Sequence, residues 1–397
     1  MRWKRCTLFL VTAMLIVMLL SYSTLSRHRY SENIDNSRIQ LIRVEQRNQS
    51  SENKSRMMMS SATNQHQAKP FDHLTTNDTC KPQHQILFLK THKTGSSTLT
   101  SILQVYGFLR NLTFVVPETA QILSRGFFKA DQVRPGKYDM LVNHARYNKT
   151  EMEKVMKPNT KYITIIRDPS TQIESNFGYF FLNKVFHLEN ETNPFRTFVL
   201  NPLFYWKTYN RNLFRNYMRN PNLFDFGLSE TDQEDILTVK QFIKRLSKDF
   251  DLVLIQEYFN ESLLLLKKMF CWEMDDVIYL IKGERSNKIR YTIEPELRET
   301  IRNWSWADAM LYEHFNKTFW RKVDDYGPSF KADLQEFEFK LNKMFHNCTL
   351  PRIYDNTRER FYQRNPNGAR KCSHLLRIDL DFTELIRDKQ YREDKTT

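Results

Sequence analysis

The segment Gln85-Ile-Leu-Phe-Leu-Lys90-Thr91-His92-Lys93-Thr94-Gly95-Ser96-Ser97-Thr98 holds a strand, a polar turn and the start of a helix. Ile86–Leu89 is a short apolar run of the kind buried in a parallel sheet, and helical spacing follows over Ser97–Leu109. Consecutive backbone N–H groups at such a turn, with the amino end of the helix, form a cradle for an anion. Gly95 permits the tight turn and close approach of a phosphate. Lys93 adds a mobile positive charge, and Ser96, Ser97 and Thr98 add hydroxyl donors. The Walker A order is absent, because Lys93 precedes Gly95 instead of following it. The plainer alternative is an ordinary strand–helix turn with capping hydroxyls.

Moving outward, Tyr162-Ile-Thr-Ile-Ile-Arg167-Asp168-Pro169 ends a second strand, with Ser175 almost two turns into the helix that Pro169 opens. Ligands of open α/β sheets sit at the carboxyl ends of strands, so Arg167 and Ser175 could share a second phosphate. Taken alone, a capped helix whose Arg167 pairs with Asp168 explains this motif better. Further short strands are expected at Thr113–Val116, Met140–Val142 and Leu252–Ile255, and further helices at Thr231–Lys248 and Glu261–Phe270. This alternation predicts one three-layer α/β domain over 83–397 with a mostly parallel sheet.

The amino terminus sets the compartment. Cys6 to Ser26 is a run of 21 residues without charge, long enough for one membrane span. No small-x-small cleavage site follows it. The chain is therefore read as a cytoplasmic tail (1–6), a signal anchor (7–26), a disordered stem (27–82) and a lumenal domain. Ten Asn-x-Ser/Thr sequons agree with secretory exposure. A composition of 40% apolar and 13% aromatic residues excludes a wholly disordered chain and a multi-span membrane protein. The net charge of +14 calls for an anionic partner, and a lumenal site argues against nucleic acid. Four lumenal cysteines allow three pairings, of which the local Cys348–Cys372 is favoured; no C-x-x-C occurs, so zinc is not expected.

Together the Lys-Thr-Gly-Ser-Ser-Thr loop and the later Arg-Asp-Pro…Ser resemble the 5′-phosphosulfate and 3′-phosphate sites of sulfotransferases. The longer string Phe88-Leu-Lys90-Thr-His92-Lys93-Thr-Gly-Ser-Ser-Thr is similar to the Golgi galactose-3-O-sulfotransferases, above all to the branch acting on galactosylceramide. Asn143-His144-Ala-Arg146, Leu252–Ser262, Phe270-Cys271-Trp272-Glu273 and His314–Lys322 extend the resemblance over about residues 84 to 327. The stem and the tail after about 330 match poorly. Ala145 stands where family members often carry a larger residue.

The resemblance implies a P-loop-like sulfotransferase fold and 3′-phosphoadenosine 5′-phosphosulfate (PAPS) as sulfuryl donor. It places Lys90, Thr91, Lys93, Thr94, Gly95, Ser96, Ser97, Thr98, Arg167 and Ser175 around that donor. It implies a terminal β-galactose as acceptor, first on galactosylceramide or a related glycolipid, and a type II Golgi membrane protein; a homodimer is compatible with this and specified by no segment. The charge chemistry needs no metal. Lys90 and Lys93 suit the sulfuryl oxygens and the leaving phosphate, and His92 suits removal of the sugar proton, with His144 and Glu174 as runners-up. Two rivals remain in view. A Golgi glycosyltransferase would use metal on Asp-x-Asp, matched by Asp249-Phe-Asp251 and Asp379-Leu-Asp381. A glycan-binding protein would make His92 and Lys93 dispensable. The aromatic segments Phe177–Phe181 and Phe204–Trp206 could stack on sugar, cover lipid or fill core.

Overall fold

The computed structural model describes residues 80–118, 122–209, 214–281, 284–285, 290–355 and 359–393. The expectations for the tail, the signal anchor and nearly all of the stem lie outside these residues. Among the described residues no helix is long and apolar enough to cross a membrane.

The apolar runs form one five-stranded sheet. Its strands are β1 (Ile86–Leu89), β2 (Phe114–Val115), β3 (Met140–Leu141), β4 (Lys161–Ile166) and β5 (Leu252–Ile255), in spatial order β2-β3-β1-β4-β5. All four pairings are parallel. Ile86–Leu89 and Leu252–Ile255 are buried throughout, as expected of strands covered on both faces. The five expected strands are therefore present, each within a residue of its predicted ends. A separate parallel pair joins Ile122–Phe127 to His144–Arg146. A small antiparallel sheet of Glu284–Arg285, Glu359–Arg364 and Thr349–Asp355 was not expected from the sequence.

Three helix starts differ from expectation, one of them through side-chain capping. The helix expected from Thr231 begins at Ile236, because the Asp235 side chain accepts the Thr238 N–H at 2.8 Å; a 3₁₀ turn at Asp232–Glu234 precedes it. The first helix runs Ser96–Leu109, and the one expected at Glu261 starts at Phe259. The segment after residue 330 is ordered into the core: Phe337, Cys348, Cys372 and Phe382 are fully buried there. Cys348 and Cys372 are bonded as favoured, and Cys80 pairs with Cys271.

Two apolar clusters result. The larger surrounds the sheet; the smaller is mostly aromatic and includes Phe177, Phe186, Phe195 and Phe198. Phe177 is thus core, whereas Tyr179 and Phe204 are more than half exposed.

A buried polar link ties the long helix Trp306–Tyr326 to the short helix Pro221–Asp225. Asp308 accepts backbone N–H groups from Asn222 at 2.8 Å and Leu223 at 2.9 Å. Burial pushes the Asp308 carboxyl up to about 7. Between the ordinary carboxylate range and about pH 7 the folded chain thus holds a proton that the unfolded chain has lost. This contribution to stability is present at low pH and is lost as pH rises through 7. Unfolding by urea should therefore show lower stability at pH 8 than at pH 5, and Asp308→Asn should flatten that difference. An unchanged slope in Asp308→Asn would remove Asp308 as its source.

Candidate active site

The site lies at the carboxyl ends of β1 and β4, which are neighbours in register from Ile86↔Lys161 to Leu89↔Thr164. Threonine hydroxyls fasten the two strand ends. Thr164 donates to the Leu89 carbonyl at 2.9 Å, and Thr91 donates to the Ile165 carbonyl at 2.5 Å. Thr94 lies 2.8 Å from the Thr91 hydroxyl, and Ser96 donates to the Thr91 carbonyl at 2.5 Å. Thr91, Thr94 and Ser96 are all buried. Their hydroxyls therefore shape the turn, while Ser97 and the half-buried Thr98 leave theirs nearer the surface.

The turn itself uses left-handed backbone at Lys93 (φ 58°) and Gly95 (φ 76°). At Gly95 a side chain would be strained and would also meet Gln256 and the Phe259 ring. The helix begins immediately after; the Thr98 N–H bonds back to the Gly95 carbonyl at 3.0 Å, whereas the N–H groups of Ser96 and Ser97, at its first two positions, precede the intrahelical ladder.

The second motif closes on the first. Arg167 donates through Nη1 to the Lys93 carbonyl at 3.1 Å and through Nε to Thr171 at 2.8 Å. Lys93 Nζ lies 3.7 Å from the centre of the Tyr179 ring. Thr171, Ser175 and Tyr179 are spaced four apart on the helix Pro169–Tyr179 and so share one face. Ser175 therefore sits on the stripe between the residue holding Arg167 and the residue holding Lys93. Asp168 does not pair with Arg167; it caps the helix through Ser170 N–H at 2.9 Å and pairs with Arg302.

His92 is held on every side. Its backbone N–H donates to Asp225 at 2.8 Å, and its carbonyl accepts from Gln172 at 2.8 Å. Nδ1 lies 2.9 Å and 3.0 Å from the two Asp225 oxygens, and Nε2 lies 3.1 Å from the Tyr217 hydroxyl. The Asp225 carboxylate, which accepts, places the ring proton on Nδ1 and leaves Nε2 as the basic nitrogen. His144 stacks on His92 with ring centres 4.3 Å apart and lies 3.2 Å from the Lys90 carbonyl. Burial first, then the charges of Lys90 and His92, holds His144 well below the usual histidine range. It is a neutral partner at ordinary pH.

Lys90 is buried, and its Nζ meets Asp379 at 2.5 Å. Contact between this ammonium and a bound anion would thus be an exchange of partners. The same pair accounts for one Asp-x-Asp match. The other is also engaged: Asp249 pairs with Lys149 at 2.7 Å, and Asp251 accepts the Tyr162 N–H at 2.9 Å. Glu174 pairs with Arg285 and accepts the Tyr291 N–H at 3.0 Å, so its oxygens are already occupied.

Sequence reasoning missed Asp225, Tyr217, Tyr179 and Gln172. Asp225 lies 133 residues from His92, with no spacing signal to connect them. The lone trace is the turn Asn220-Pro-Asn, which marks a short helix but says nothing of what its last residue faces.

Comparison with known proteins places the chain in a family. Residues 3–352 match the family model described as galactose-3-O-sulfotransferase. The chain is 35% identical over 254 residues to bovine galactosylceramide sulfotransferase, covering 62% of this chain and 60% of that protein. It is 36% identical over 256 residues to the human galactosylceramide sulfotransferase, with 62% and 60% covered. It is 34% identical over 254 residues to mouse galactose-3-O-sulfotransferase 2, with 61% and 63% covered. The matched region thus spans about three fifths of the length of these relatives. The chain belongs to the galactose-3-O-sulfotransferase family.

Proposed function

We propose that this protein transfers a sulfuryl group from PAPS to the 3-hydroxyl of a terminal β-galactose. The acceptor in this proposal is galactosylceramide or a related glycolipid, and the setting is the Golgi lumen behind a single amino-terminal anchor. The fold in this proposal is the P-loop-like fold of sulfotransferases. The observation that carries the proposal is the Asp225–His92–Tyr217 chain set in the same turn as Lys93, whose carbonyl is held by Arg167. A basic nitrogen and an anion cradle share one short loop.

The roles follow from charge. The turn N–H groups, Lys93, Ser97 and Thr98 face a phosphosulfate, and Arg167 with Ser175 serves a second phosphate. His92 Nε2 takes the proton of the attacking sugar hydroxyl as the new oxygen–sulfur bond forms. The sulfur–oxygen bond to the donor phosphate breaks in line, and the departing phosphate keeps that electron pair. Asp225 then stabilises the imidazolium, and Tyr217 marks where the acceptor hydroxyl arrives. Such general-base help is worth about 10²–10⁴-fold, with positioning and charge stabilisation supplying most of the remainder.

Lys93→Ala and Arg167→Ala should each weaken PAPS binding by about tenfold or more, read by equilibrium dialysis with labelled PAPS. Unchanged binding in both would sink the two-phosphate assignment. His92→Ala should bind PAPS within about twofold of wild type and lose about 10²–10⁴-fold in kcat. Asp225→Asn should lower kcat by at least about tenfold with little change in PAPS affinity, since it loosens ring orientation. Full turnover by His92→Ala would remove it as the base. Activity should persist in EDTA; abolition by chelation would return the metal-dependent glycosyltransferase reading.

A further inference from the structure

A cleft of about 220 Å³ lies beside the His92 site, and its lining is aromatic and polar together: Trp206, Phe127 and Phe224 with Asn216, Glu230 and Gln233. We infer that this cleft is the seat of the acceptor's galactosyl ring. The inference rests on the proposed galactosyl transfer and names the residues that bind its acceptor.

Position is the first argument. Asn216 adjoins Tyr217, and Phe224 adjoins Asp225, so the cleft wall and the His92 partners are carried by the same two short segments. The Phe224 and Tyr217 rings meet edge to face with centres 5.7 Å apart, and the Tyr217 hydroxyl reaches His92 Nε2. The Tyr217 side chain thus connects the cleft wall to the basic nitrogen. None of the lining residues comes from 90–98 or 167–179, the segments that carry the anion-binding groups.

Charge is the second. Arg219 and Glu230 are matched by ion pairs within the protein, and Arg146 is held by carbonyls and rings. Arg146 donates to the Phe224 carbonyl at 2.8 Å and the Leu228 carbonyl at 3.1 Å, and its guanidinium lies between the Phe127 and Phe224 rings. Arg219 pairs with Glu234, and Glu230 pairs with Arg215, which in turn lies 3.6 Å over the Trp206 ring. The lining therefore offers hydrogen-bonding groups and apolar faces, with the Arg146 guanidinium already turned to carbonyls and rings. A neutral polyhydroxylated ring with one apolar face matches that surface. Size agrees, because drug-sized ligands occupy roughly 300–1,000 Å³, and this cleft suits a single sugar ring.

The test uses the full-length chain in detergent, with lactose as the neutral β-galactoside probe and adenosine 3′,5′-bisphosphate as the donor probe, both by calorimetric titration. Asn216→Ala, at a half-buried position, and Trp206→Phe, which keeps most of the packing, should each raise the lactose Kd about tenfold, the cost of one lost polar or stacking contact. The bisphosphate Kd should stay within about twofold of wild type in both. A lactose Kd unchanged in both variants, or no lactose binding by wild type, would overturn the assignment. So would equal weakening of the bisphosphate, which would give the cleft to the donor's base instead. A wild type that binds lactose through these residues but transfers no sulfuryl group would leave the cleft standing and count against the proposed reaction alone.

Discussion

The parallel pairing of Ile86–Leu89 with Lys161–Ile166 is the constraint on which the site depends. It brings two loops, distant in sequence, to one edge of the sheet with a fixed offset. The pairing alone leaves the loops free to vary, and the buried threonines remove that freedom. Thr164 holds the end of β1, and Thr91 holds the end of β4. A buried hydroxyl left without a partner is costly, so each of these bonds is enforced by the burial around it. Once the strand ends are joined, Lys93 must turn left-handed, and its carbonyl meets Arg167. The geometry of the turn thereby follows from sheet register.

Placement of His92 follows a different logic. Its position is set by buried polar side chains that reach it from elements outside the sheet. Asp308 holds Asn222 through its N–H; Asn222 donates to Gln172 at 2.7 Å; Gln172 donates to the His92 carbonyl. The same short helix that Asp308 caps ends in Asp225, which grips the His92 ring and backbone. Asn222, Gln172 and Asp308 are fully buried, in a medium where hydrogen bonds are strong and unpaired groups expensive. The histidine is thus fixed from two directions by one network. This rigidity is what the proton transfer proposed for His92 requires.

The parts that were legible in the sequence are those written in contiguous residues. Four-residue apolar runs announce buried strands, and the polar turn between Leu89 and Ser97 announces a cradle, because both signals are local. Asp225 and Tyr217 were not legible, since their partner is fixed by packing across more than a hundred residues. The hydroxyls were half legible: residue type marked Thr91, Thr94 and Ser96 as part of the loop, but burial turned them inward to shape it. Ile236 shows the same limit at a helix boundary: the polar run Thr231–Asp235 holds several capping residue types, and Asp235 is the one whose side chain caps the helix. The antiparallel sheet was missed because Thr349–Asp355 and Glu359–Arg364 lack a clean polar–apolar alternation, the signal a half-buried strand normally gives.

The carboxyl-terminal segment shows how far the site extends beyond what family resemblance marks. The family match ends at residue 352, yet the helix Asp379–Glu393 lies on the first helix of the site. Gln104 donates to Thr383 at 2.9 Å, Asn143 donates to the same hydroxyl at 3.1 Å, and Gln390 pairs with both backbone groups of Phe114 on the edge strand. That last contact also covers an edge that would otherwise be open to pairing. Asp379 completes the set by meeting Lys90. A lysine ammonium this deeply buried needs a counter-charge, and removing one member of such a pair leaves the other desolvated and unmatched. The Asp379 carboxylate thus lets the buried lysine stand beside the turn with its charge balanced. The tail is therefore part of the site's electrostatics: it balances the most buried cation of the loop from outside the segment the family shares.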